Sequence, residues 1–225
     1  MNNNLNTSLQ IISRELLLKG SFTDQIGLTG KMGIAIFFYH YSKYLEDTAY
    51  SGFASELIDE ICNEISLDSS IYFHDGLSGI AWGFLYLIKN KFIDADENEL
   101  LEDIDQYIME TDITKCEDFS FSNGLAGIIC YFSCRQLINT EYYSTLTEYL
   151  FNSPFTQDKQ ENRDFADMIR LISKRENANE NMRLLESFLL YKVDIENITI
   201  DKNLFGITDR GYANIGLNLI KLSDR

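Results

Sequence analysis

Three pairs of polar residues stand directly before glycines in this chain, and their types suit binding or proton transfer. His74-Asp75 precedes Gly76, Ser122-Asn123 precedes Gly124, and Asp209-Arg210 precedes Gly211. His74 and Asp75 are groups for general acid–base catalysis or for holding a polar ligand. Asp75 is also a natural helix N-cap, a role that Asp, Asn, Ser and Thr fill by accepting backbone N–H bonds. Asn123 and Asp209 carry the same alternative, and Ser122 would line the same opening. Arg210 can grip a carboxylate through two parallel hydrogen bonds, or pair locally with Asp209.

Four cysteines complete the reactive inventory: Cys62, Cys116, Cys130 and Cys134. Cys130 and Cys134 are four apart, so a helix puts them on one face. With Cys116 or His74 they could grip a metal. No CxxC spacing supports that, and free cysteine behaves as a small core hydrophobe, so no metal ligand is assigned. His40, inside FFYHYSKY, and the aromatic run Phe37, Phe38, Tyr39, Tyr41 and Tyr44 read as helix packing.

The elements that hold these residues follow from a repeat. Gly27-Leu-Thr-Gly30, Gly76-Leu-Ser-Gly79 and Gly124-Leu-Ala-Gly127 share one form, with starts 49 and 48 residues apart. A degenerate fourth copy begins at Gly206. Each motif leads into a stretch that is apolar nearly all round, such as Ile80, Ala81, Trp82, Phe84, Leu85, Tyr86, Leu87 and Ile88. A helix apolar on every side is buried on every side. The intervening segments are one-sided. Phe53, Leu57, Ile58 and Ile61 face Glu56, Asp59, Glu60 and Glu64, while Leu100, Leu101, Ile104, Tyr107 and Ile108 face Glu102, Asp103, Asp105 and Gln106. Outer and inner helices therefore alternate. Glycine before each inner helix is expected to let the turn take φ > 0 and to let neighbouring backbones approach closely. The predicted helices are 5–19, 29–46, 51–66, 77–92, 97–110, 124–139, 141–151, 162–175, 179–191 and 209–222, with a short extended piece at 193–201.

Bulk properties agree with an all-α chain. Proline occurs once, at Pro154, where average usage would give roughly eleven. The formal net charge is −16, which repels phosphate backbones and anionic membranes and argues against nucleic-acid or membrane partners. No basic n-region with an apolar stretch opens the chain, and no apolar run reaches about 18 residues. A single cytoplasmic domain over 1–225 with free thiols is the expectation.

The segments GLTGKMGIAIFFYHYSKYLED at 27–47, FHDGLSGIAWGFLYLIKNKFID at 73–94 and FSNGLAGIICYF at 121–132 resemble the inner repeats of lanthionine synthetase C-like proteins. The resemblance implies an all-α fold, an α/α toroid of outer and inner helix pairs, here incomplete relative to the family's seven-pair ring. It also implies a role in maturing ribosomally made bacterial peptides. Catalytic members close thioether rings with a zinc ion held by two cysteines and a histidine, which activates the substrate thiol. A Cys-His pair immediately before one repeat glycine supplies two of those ligands. Ser122-Asn123-Gly124 stands where Cys-His-Gly would, His74 is one place too far from Gly76, and Trp-Cys-x-Gly is missing. The reading is thus a zinc-free accessory or peptide-binding subunit, without cofactor, whose partner is a peptide or another protein. A peptide cyclase or another toroid enzyme, such as a carbohydrate-active one, and a structural module that pairs with itself or completes a partner subunit, are the alternatives.

Overall fold

The computed structural model describes residues 2–66, 68–153, 169–170, 177–189, 204–208 and 211–223. Among them are nine α-helices and no strand: α1 (Asn2–Lys19), α2 (Lys31–Leu45), α3 (Thr48–Glu64), α4 (Leu77–Lys89), α5 (Glu97–Glu110), α6 (Leu125–Arg135), α7 (Glu141–Phe151), α8 (Ala178–Leu189) and α9 (Tyr212–Ser223). The chain divides into two compact units. One is Met1–Ser66 with Ser187–Arg225, and the other is Leu67–Glu186. The predicted helices over 5–19 through 141–151, and those at 179–191 and 209–222, coincide with these elements to within a few residues. The predicted extended piece at 193–201 and most of the predicted helix at 162–175 lie outside the described residues.

The alternation of burial is observed. In α4 every residue from Leu77 to Leu87 is buried, and in α6 every residue from Leu125 to Arg135. By contrast α3 buries Ala54, Leu57 and Ile61, and α7 buries Tyr143, Leu146 and Leu150. The two kinds of helix start differently. Outer helices carry side-chain caps: Asp47 accepts from Ala49 N at 3.0 Å, Asp96 from Asn98 N at 2.8 Å, and Thr140 from Tyr143 N at 3.1 Å. Such caps contribute about 1 kcal/mol each.

Inner helices start from glycine. The N-cap positions are Gly30, Gly76 and Gly124, none with a side-chain cap bond. Asp75 and Asn123 are therefore not the N-caps that their residue types suggested. The orphan N–H groups instead donate to carbonyls of the loop just upstream. Leu77 N reaches Ser70 O at 2.7 Å and Ser78 N reaches Ile71 O at 3.3 Å, while Leu125 N reaches Asp118 O at 3.2 Å. In α2, Lys31, Met32 and Gly33 donate to Gln25, Ile26 and Gly27, and in α9 Tyr212, Ala213 and Asn214 donate to Leu204, Phe205 and Gly206. The first repeat is consequently in a different register from the G-L-x-G alignment, because Gly30, not Gly27, occupies the place of Gly76 and Gly124.

These glycines serve close approach and not an unusual dihedral, since no described glycine has positive φ. A methyl group at Gly76 would collide with the carbonyl oxygens of Ser70 and Tyr72, and one at Gly124 with Asp118 O. In the first unit, Ile207 N also donates to Leu28 O at 2.8 Å, and Gly206 leaves space for that carbonyl. Gly216 leaves space for the Phe37 ring against α9. Replacing Gly76 or Gly124 by alanine is expected to cost about 2–3 kcal/mol, the usual result of overpacking a filled site. Gly52→Ala, in the second turn of α3 with nothing within 4 Å of the added methyl, should gain about 0.5–1 kcal/mol from helix propensity. Urea denaturation of the three variants checks the contrast.

Candidate functional site

The loops that seal α4 and α6 also carry the candidate residues. Two hydrogen bonds join them: His74 N donates to Ser122 O at 3.0 Å, and His74 Nε2 lies 3.0 Å from Ser122 Oγ. The Phe121 ring stands edge-on to the imidazole at 6.1 Å between centroids. Beneath it Phe73, fully buried, packs at 4.7 Å on Phe121 and at 5.9 Å on Trp82. Gly127 admits Phe73 to the surface of α6, where a methyl group would strike its Cβ. His74 and Ser122 are thus half-buried polar groups on an aromatic floor, flanked by exposed Asp75 and Asn123. The sequence placed these four residues at inner-helix starts, and the structure brings His74 and Ser122 into contact. Asp209 and Arg210 lie outside the described residues.

Burial decides the fate of the thiols. Cys116, Cys130 and Cys134 are buried and Cys62 is exposed, all as free cysteines. Desolvation pushes the Cys130 and Cys134 thiols well up, so both stay protonated. Cys116 Sγ donates to Asp118 O at 3.1 Å and lies 3.2 Å from Tyr72 Oη. That contact is the main reason the tyrosine's own pKa is raised.

Two polar clusters had no counterpart in the sequence reading. Asp105, expected on the solvent face of α5, is buried. Its carboxylate accepts from Tyr131 Oη and, at 3.0 Å, from Arg135 Nε. Burial, only partly offset by these partners, raises the Asp105 pKa. Glu97 extends the chain of charges, 3.8 Å from Arg135 and 2.5 Å from Lys89. The second cluster is Lys31, buried at the start of α2, with Glu60 at 2.9 Å and Glu64 at 2.6 Å from α3. Burial lowers the Lys31 pKa, but the two carboxylates outweigh it and the net shift is upward.

Comparison with known proteins places this architecture. Residues 21–181 match the family described as lanthionine synthetase C-like protein. The chain belongs to the lanthionine synthetase C-like family. A search of curated proteins returned no match. The zinc site of catalytic lanthionine synthetase C-like proteins needs two thiolates and an imidazole. Ser122 and Asn123 supply a hydroxyl and an amide where thiolate and imidazole are required, and the Ser122 hydroxyl already bonds His74. The cysteines of α6, Cys130 and Cys134, are buried within the helix and do not stand before a repeat glycine. Among the described residues no group of three or more His, Cys, Asp or Glu is placed to hold a metal. The donor set does not fit the family's zinc site. No described helix is long and apolar enough to cross a membrane.

The second histidine tests a different property of the scaffold. His40 on α2 has its pKa lowered to about 4, first by burial and then by the charges of Lys221 on α9 and Lys43. Folding therefore favours the neutral ring. The stability it contributes is complete above the unfolded value of 6.5 and is lost as pH falls from there towards 4. In His40→Gln, chemical denaturation should show a loss between those pH values that is smaller than the parent's by on the order of 2 kcal/mol.

Proposed function

We propose that this protein serves the maturation of ribosomally made bacterial peptides as an accessory subunit that binds peptide without zinc. The observation that carries the reading is the His74–Ser122 hydrogen bond, at the place where catalytic relatives would hold metal. A hydroxyl and an imidazole on an aromatic floor offer donors and acceptors to a peptide backbone, and the Phe73 and Phe121 rings offer apolar surface. Family membership supports the substrate class, and the mismatch with the zinc ligands supports binding over thiol activation.

The same bond favours one further role for the pair. An imidazole nitrogen 3.0 Å from a hydroxyl is within general-base reach, so proton transfer to or from a bound peptide is the enzymatic reading of this site, with Asp75 as the neighbouring acid.

Titration calorimetry with linear and dehydrated precursor peptides, together with elemental analysis of the protein as purified, separates these readings. Binding near micromolar with negligible zinc is expected, weakened about fivefold in His74→Ala and in Ser122→Ala, the effect of losing about 1 kcal/mol of hydrogen bonding. One zinc per chain would overturn the zinc-free reading. Turnover of a dehydrated peptide that vanishes in His74→Gln while binding persists would move the protein to the enzymes. No binding across the panel would end the peptide assignment.

A further inference from the structure

Apolar exposure is concentrated in one place. Of the six large apolar side chains exposed among the described residues, Ile11, Leu17, Leu18, Phe22 and Leu45 lie on α1, the turn after it, and the end of α2, and only Phe188 lies elsewhere. Helix α1 already buries Leu9, Ile12 and Leu16. Its neighbouring face, through Gln10, Arg14, Leu17 and Leu18, is one wall of an open groove of about 500 Å³. Tyr41, Tyr44, Leu45 and Tyr50 form the other wall.

That aromatic wall is preset. Tyr50 stacks on Phe38 at 5.9 Å and meets Tyr41 edge-on at 4.8 Å, and the Tyr44 hydroxyl donates to Asn6 Oδ1 at 2.9 Å. Rigid aromatic rings give contact area at low entropic cost. From Asn6 to Leu18 the groove follows α1 for roughly 18 Å at about 1.5 Å per residue, room for about three turns of a second helix.

Charge narrows the occupant. Acidic residues outnumber basic ones 35 to 19 in the chain, yet no carboxylate is among the described residues lining this groove, whose charged group is Arg14. The helix itself carries Arg14 and Lys19 against Glu15 alone. A ligand with an apolar stripe and a carboxylate beside it matches both the leucine–tyrosine walls and the guanidinium. We propose that the α1 groove docks an acidic amphipathic helix of a partner polypeptide, with its apolar stripe against Leu17, Leu18 and Leu45 and its carboxylate on Arg14. This is helix-in-groove recognition. It is independent of the reading of the His74–Ser122 site, and α1 precedes the residues that match the family.

Three fluorescein-labelled 14-residue helical peptides test it on the full chain at physiological salt: one with a leucine stripe flanked by glutamates, its lysine counterpart, and a scramble of the first. Anisotropy should show the glutamate peptide bound best. Leu18→Ser should weaken it at least tenfold, and Arg14→Glu should weaken it about tenfold while improving the lysine peptide. Both substituted residues are exposed, and unchanged thermal melts would exclude unfolding as the cause. Three results would overturn the proposal: no binding, equal binding of the scramble, or a lysine preference that Arg14→Glu leaves alone, which would reflect overall charge only. Self-association in sedimentation that Leu18→Ser abolishes and the glutamate peptide does not compete would make a second copy of the chain the occupant and overturn it as well.

Discussion

The constraint on which the fold rests is the polar start of each inner helix. A helix buried on every side cannot leave its first N–H groups to water, and an unpaired buried donor costs about 1–3 kcal/mol. Outer helices meet the need with Asp47, Asp96 and Thr140 at positions that side chains can reach. Inner helices meet it with the carbonyls of the loop upstream, as Ser70 and Ile71 do for α4. That loop must then lie so close to the helix that only glycine fits at the junction. The repeat in the sequence is the imprint of this packing. It also shapes the chemistry available. A helix N-terminus with free N–H groups binds anions readily, but here several of those groups already donate to carbonyls. What the starts of α4 and α6 offer to a ligand is instead side chains of the sealing loops, among them the half-buried His74 and Ser122.

The charges around Lys31 follow from the packing of α2 against α3, which brings the start of one helix beside the end of the other. Lys31 sits at the start of α2, where a cation opposes the helix dipole, and Glu60 and Glu64 sit near the end of α3, where anions do. Each is in the wrong half of its own helix but beside the right end of its neighbour. The ammonium lies at the carboxyl end of α3 and the carboxylates at the amino end of α2. Asp105 and Arg135 make a different case. Desolvation of a paired charge consumes most of its Coulombic gain, so such a pair adds little net stability, yet removing one partner strands the other. The pair joins α5 to α6, with Tyr131 supplying a further hydrogen bond.

What was legible in the sequence was periodic. Burial on all sides and burial on one side leave different residue patterns, so the alternation of helices and most of their bounds could be read before any coordinates. Register was less legible, because GLTGKMG contains two overlapping G-x-x-G motifs and only the loop carbonyls show that Gly30 is the junction. Asp105 was misplaced because its type outweighed its position. It lies four residues after Leu101 and three before Ile108, squarely on the buried stripe of α5, and that spacing was the signal. The contact between His74 and Ser122 spans 48 residues. No local pattern encodes it, and only the shared position before a repeat glycine hinted that the two would face one another.

Magnitudes decide how such a site could hold a peptide. Two hydrogen-bonding side chains contribute about 1 kcal/mol each after exchange with water, whereas a micromolar complex requires about 8 kcal/mol. Aromatic burial on Phe121 adds to this, but Phe73 is already fully buried and has little surface left to give. The larger share has to come from apolar area that is still wet in the free protein, at about 1.5–3 kcal/mol for each side chain fully covered. Hydrogen bonds to the imidazole and hydroxyl are directional where apolar contact is not, so at this site His74 and Ser122 would set the orientation of a bound segment and apolar contacts its affinity.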